Sequence, residues 1–122
     1  MSYTFKLDSG DGIIEVVYSD IVTYEQRMQA IKEGLVLLQN KPSPKILINL
    51  VAAKIHIFPL EKVTLAQYIS EQHALIKAKT AFLIRCEQTE REEIDSAVLR
   101  SDEFISQVFY SRSKAIQWLN ET

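Results

Sequence analysis

The chain has 122 residues, 47% hydrophobic and 25% charged, the balance of one ordinary globular domain with a sizeable core. A formal net charge of −2, with Lys41, Lys45, Lys54, Lys62, Lys77 and Lys79 scattered among acids, excludes the basic stripe that nucleic-acid binding requires. No apolar stretch approaches the ~20 residues of a membrane span, the N-terminus has no signal-peptide core, and one cysteine makes no internal disulfide, so a cytoplasmic protein is expected.

Tyr3, Phe5 and Leu7 alternate with polar neighbours, the pattern of a half-buried strand. Asp8-Ser9-Gly10-Asp11-Gly12 suits a tight reversal, and Ile13 to Tyr18 reads as a second strand, so the chain opens on a β-hairpin. Thr23 with Gln26 is a capping-box pair, and Met28, Ile31, Leu35 and Leu38 continue from it along one helical face. That helix should stop near Asn40, before Pro42 and Pro44, and its Gly34 suggests close packing on the sheet.

Ile46 to Leu50 is almost wholly apolar, as in a strand covered on both faces. Val51 to Phe58 reads as a connection that is unusually apolar, and Pro59 suits the first turn of a helix running from Leu60 to about Ile76. Ala81 to Ile84 is the next buried strand. Thr89 and Glu92 form a second capping box, and Ile94, Ala97, Val98 and Ser101 trace one face of the helix they start. Val108 to Tyr110 is a last short strand, after which Ser111 or Ser113 caps a closing helix with Ala115, Ile116, Trp118 and Leu119 inward.

The order β-β-α-β-α-β-α-β-α describes a single α/β domain over residues 1–122, with a mostly parallel sheet and an antiparallel first strand at or near an edge. Ligands and partners of such sheets gather beyond the carboxyl ends of the parallel strands. Here that rim should collect Asp20, Asn49, Arg85, Cys86, Ser111 and Arg112.

The hairpin, the segment from Asp20 to Glu25, the strand Ile46 to Leu50 and the ending Val108 to Leu119 resemble the STAS-like family. These bacterial proteins are similar to the anti-sigma-factor antagonists and are related to CRAL-TRIO lipid carriers. The resemblance implies the fold and suggests a non-catalytic protein-binding module, while the regulatory switch is not carried over. Family members often have glycine near Asp20 and aspartate at the position of Asn49, and this chain departs at both. True antagonists carry a phosphorylatable serine in the loop after the third strand. That loop reads Val51-Ala52-Ala53-Lys54 here and has no hydroxyl.

Chemistry-bearing clusters are sparse. The chain has no phosphate-cradling glycine loop and no nucleophile beside an obvious base, so no catalytic residue and no cofactor are assigned. Cys86 beside Arg85 would be a thiolate candidate, but it reads better as a small apolar residue. His73, in register with Ala66 and Ile69, reads as a core-edge histidine, and His56 should point opposite to Ile55 and Ile57. Two isolated histidines make no zinc site. The Glu90-Arg91-Glu92-Glu93 run is a solvated first helical turn, and Phe109 and Trp118 read as core.

Two functional readings follow. One is a non-catalytic module that binds a protein partner or a second copy of itself, through the rim and the apolar stretch Val51 to Phe58. The other is a carrier of a small apolar ligand in a pocket lined by Ile55, Ile57, Phe58, Leu60, Val63 and Tyr68. An enzyme using Cys86 or Asp20 at the rim is a weaker third.

Overall fold

The computed structural model describes residues 3–7, 12–39, 41, 44–85 and 105–121. The expected hairpin turn at Asp8 to Asp11, Cys86, the acidic run at Glu90 to Glu93 and the helix expected after Thr89 lie outside the described residues.

Strand β1 (Tyr3–Leu7) pairs antiparallel with β2 (Ile13–Thr23), Lys6 standing opposite Glu15. Gly12, which leads into β2, has φ +70°, a left-handed conformation that glycine adopts without steric cost. Helix α1 (Tyr24–Leu37) begins at the expected capping box: the Gln26 N–H donates to Thr23 Oγ1 at 3.4 Å, and the Thr23 N–H donates to Gln26 Oε1 at 3.1 Å. Strand β3 (Lys45–His56), helices α2 (Pro59–Ser70) and α3 (His73–Lys77), and strands β4 (Lys79–Leu83) and β5 (Ile105–Phe109) follow, with α4 (Arg112–Asn120) at the end. The five strands lie in the order β1-β2-β3-β4-β5, parallel from β2 onward, with the antiparallel β1 at one edge as expected.

Two cores flank this sheet. On one face, Ile14, Val16, Tyr18, Ile46, Ile48, Leu50 and Phe82 meet Ala30 and Ile31 of α1 and Leu65 and Ile69 of α2. On the other, Ile13, Leu47, Ala81 and Leu83 meet Ala115 and Leu119 of α4. Each fully buried large apolar side chain contributes about 1.5–3 kcal/mol, so helices on both sides are needed to cover strands that are apolar on both faces.

Four expectations are corrected. First, Val51 to His56 is strand rather than connection, because β2 and β3 keep pairing as far as Thr23 opposite His56. The true link to α2 is Ile57-Phe58, so the loop compared with the family's serine loop was placed too early. Second, β2 does not stop at Tyr18. The register slips between Val17 opposite Asn49 and Ser19 opposite Ala52, a bulge that sets Tyr18 against both Leu50 and Val51, after which pairing resumes and Val22 is fully buried. Asp20 has φ 57° there.

Third, the helix expected up to Ile76 breaks. The N–H groups of Glu71 and Gln72 donate to carbonyls three residues back, at 3.2 and 3.0 Å, which tightens and ends α2. Helix α3 then turns Ala74 and Leu75 toward the core and leaves His73 exposed, not at a core edge. Fourth, a Cβ on Gly34 would lie 3.7 Å from the Phe5 ring, an ordinary contact, so no close approach demands glycine.

Candidate functional site

The bulged extension makes the carboxyl edge of the sheet stepped. Pairing of β3 with β4 stops at Asn49 opposite Leu83, whereas β2 and β3 run on together to Thr23 and His56. At 3.3 Å per residue, residues 50–56 carry this two-stranded arm about 20 Å past β4. One face of the arm is buried through Val22, Leu50 and Ala53, while Ile21, Val51 and Lys54 are exposed.

At the foot of the step the expected rim residues are joined by one they did not include. Glu15, 4% exposed, lies in β2 with its carboxylate on the α4 side of the sheet. Its Oε2 accepts from Arg112 Nη1 at 2.7 Å and from Asn49 Nδ2 at 3.0 Å, while Oε1 accepts from Arg112 Nη2. Asn49 Oδ1 accepts the Val51 N–H at 3.1 Å, and the Val51 carbonyl accepts from Arg85 Nη1. Two side chains thus satisfy the peptide groups of Val51, just where β3 leaves its neighbour β4 and the ladder no longer supplies partners.

Both ends of the Asn49 amide are committed, its nitrogen to a carboxylate and its oxygen to an N–H, so the network accepts asparagine and not aspartate. The paired hydrogen bonds from Arg112 hold the Glu15 carboxyl below the usual carboxylate range; burial opposes the shift, and the Asn49 hydrogen bond reinforces it. A carboxylate so stabilised is a poor general base. The cluster can clamp and present charge.

Of the six expected rim residues, Asn49, Arg85 and Arg112 are brought together, with Ser111 alongside. Ser111 is the N-cap residue of α4 but makes no side-chain capping bond, and its Oγ lies 3.0 Å from Ser113 Oγ. Asp20 stands apart, on the arm opposite Ala53. Glu15 was legible only as a lone charge inside the run Ile13-Ile14-Glu15-Val16-Val17, where a carboxylate needs a partner.

Helix α4 is also held at its far end. Lys79 Nζ donates to the Trp118 carbonyl and, at 3.0 Å, to the Glu121 carbonyl, and lies 4.5 Å from the centre of the Trp118 ring. Lys45 Nζ donates to Asn120 Oδ1 at 3.1 Å. Cations at the carboxyl end of a helix satisfy its last carbonyls and complement its dipole.

Two concavities adjoin these elements. A groove of about 350 Å³ lies between β1 and α4, lined by Lys6, Leu7, Ile13, Glu15, Leu47, Arg112 and Ile116. A smaller apolar cavity of about 70 Å³ lies between α1 and the sheet, with Phe5, Ile31, Gly34 and Phe82 among its walls and Arg27 and Tyr18 at its polar end. Arg27 is 8% exposed and donates from Nη1 to Tyr18 Oη at 3.0 Å. It was missed in the helical pattern, which placed Met28 inward. None of the six side chains expected to line a pocket lines this cavity. Ile55, Ile57 and Tyr68 instead pack partly buried against the core, while Phe58, Leu60 and Val63 face solvent.

Among the described residues, no three His, Cys, Asp or Glu side chains gather to hold a metal ion, and no helix is long and apolar enough to cross a membrane.

No family model matches the chain, and no curated protein matches it in sequence. Solved structures do. The crystal structure of an anti-sigma factor antagonist from Mycobacterium paratuberculosis aligns with a TM-score of 0.61 and 15% identity, over 98% of this chain and 96% of that one. An uncharacterized protein of the DUF3478 family from Shewanella loihica PV-4, described as having a SpoIIAA-like fold, aligns with a TM-score of 0.56 and 14% identity, over 96% of this chain and 91% of that one. At these identities the likeness is one of architecture, and the chain carries the SpoIIAA-like, STAS-like α/β fold.

Proposed function

We propose that the protein is a non-catalytic interaction module that binds a protein partner at the carboxyl end of its sheet. One observation carries the reading: Phe58, Leu60 and Val63, at the start of α2, are 71%, 82% and 55% exposed. Large apolar side chains grouped at the surface mark interfaces far more often than they mark solvent-facing structure. They follow directly from β3, whose residues Asn49 and Val51 belong to the polar cluster with Arg85 and Arg112.

The anti-sigma factor antagonist of the same fold supports a regulatory partner. The Ile57-Phe58 link offers no hydroxyl, so regulation at this surface would work without phosphorylation there. The carrier reading loses ground: the apolar cavity of about 70 Å³ is under half the volume of about 150 Å³ that admits benzene in a dry protein core.

The test is affinity capture with the wild-type chain and with Leu60→Glu, followed by titration of the recovered partner. Capture that disappears in Leu60→Glu, with an unchanged circular dichroism spectrum, supports the reading. Light scattering identifies the partner as a second copy if the wild type is dimeric and Leu60→Glu monomeric. Equal capture by both proteins, or a small molecule retained in native mass spectrometry, would reject it.

A further inference from the structure

The groove between β1 and α4 presents an uneven charge to its surroundings. Among the described residues that line it, the one acid, Glu15, has a side chain only 6% exposed and turned to Arg112 and Asn49. Its two cations face outward: Lys6 is exposed, and the Arg112 side chain is 50% exposed. Arg112 is fixed by a two-pronged contact to a buried carboxylate, so presenting its charge to a partner costs little further side-chain entropy. Below these cations the floor is apolar, formed by Ile13 and Leu47, and Leu7 on the rim is 65% exposed.

Resting on the reading of the chain as a partner-binding module, we infer that this groove is a second contact surface that takes an acidic segment of the protein partner. The segment's carboxylates meet Arg112 and Lys6, and its intervening apolar side chains seat on Ile13, Leu47 and Leu7. Charge complementarity selects this occupant: a basic segment would meet two outward cations, with the compensating acid already buried and bonded. The groove also suits a peptide in size, since about 350 Å³ accommodates a few side chains but leaves a larger body outside.

The probes are a short acetylated, amidated peptide that alternates leucine with aspartate, and its twin with lysine in place of aspartate. Each is titrated into the isotopically labelled full chain. Amide shifts clustering at Lys6, Ile13, Leu47 and Ile116 are expected, with the acidic peptide favoured by about tenfold or more. Lys6→Glu should weaken it about tenfold, and added salt should weaken it further. Leu7→Ser, which alters no charge, should also weaken it and guards against a general effect of charge reversal beside Glu15.

Equal binding of the two peptides, unchanged binding by both variants, or no binding of either peptide overturns the inference. Shifts confined to residues 58–63 would overturn the groove and leave the module reading standing. A captured partner that ignores Leu60→Glu but is lost in Lys6→Glu would overturn the contact at Phe58, Leu60 and Val63 and leave the groove standing.

Discussion

The carboxylate of Glu15 in β2 grips the guanidinium of Arg112 through both oxygens, although the two residues are separated by 97 positions in the chain. The pair ties the first turn of α4 to the β1–β2 end of the sheet, and Lys79 ties its last turn to β4. Helix α4 buries two side chains completely, Ala115 and Leu119, so polar anchors at both ends set its position over the sheet.

Removing one partner of this pair should destabilise the fold. Glu15→Gln is expected to cost about 1–3 kcal/mol in urea unfolding, less than a fully buried pair because Arg112 can rehydrate. A double-mutant cycle with Arg112→Met should show a coupling of at least about 0.5 kcal/mol. The pH dependence follows from the depressed carboxyl pKa of folded Glu15. The pair's contribution is complete above the unfolded value of about 4.5 and is lost as pH falls through the lower folded value. A flat acid branch in the wild type, or one unchanged in Glu15→Gln, would count against the assignment.

Asn49→Asp restores the residue common in the resembled family and should be harmful here. It would set a second carboxylate 3.0 Å from Glu15 and remove a donor. We expect a loss of about 1–3 kcal/mol at neutral pH that shrinks in acid as the two carboxyls come to share a proton. Equal stability of variant and wild type at pH 7 would contradict the network.

At the other pH extreme, the Tyr3 hydroxyl is pushed up to about 12 by burial, with its hydrogen bond to Glu33 Oε2 at 2.9 Å adding to the shift. A group whose folded pKa is raised contributes stability below its unfolded value. That contribution should therefore be intact up to about pH 10 and fade as pH climbs toward 12. In Tyr3→Phe this alkaline branch should be absent from denaturation midpoints measured between those values.

Two substitutions should stabilise the fold. Gly34→Ala adds a methyl in ordinary contact with Phe5 and relieves a helix-interior glycine, which predicts a gain of about 1 kcal/mol. Asp20→Gly removes a left-handed backbone conformation from a residue with a side chain, with an expected gain of about 0.5–1 kcal/mol, while Asp20→Val should lose more than that. Thermal melts of the single variants check both, and a lower midpoint for Gly34→Ala would show that the α1–β1 contact is tighter than its geometry indicates.

The periodicities carried most of the architecture. Apolar runs at Ile13, Ile46 and Ala81 could be nothing but covered strands, and Thr23 with Gln26 marked the start of α1 because a capping box is decided by neighbours in sequence. Boundaries were harder. Val51 to His56 looked like a connection because its alternation is weak, yet pairing with β2 supplies the hydrogen bonds that keep it extended. His73 followed the helical register of Ile69 only on paper, since the chain breaks at Glu71 and Gln72.

From the sequence alone came the α/β class, the hairpin start and three of the polar residues that meet at the step, because local pattern and crossover rules depend only on neighbours and handedness. Tertiary structure alone decided that Glu15 would join Asn49 to Arg112, that Asp20 would stand apart on an arm, and that Phe58, Leu60 and Val63 would face outward. Those outcomes depend on how far β2 and β3 continue to pair beyond β4. That length is set by a bulge and by burial across the whole sheet, quantities that no short window of sequence contains.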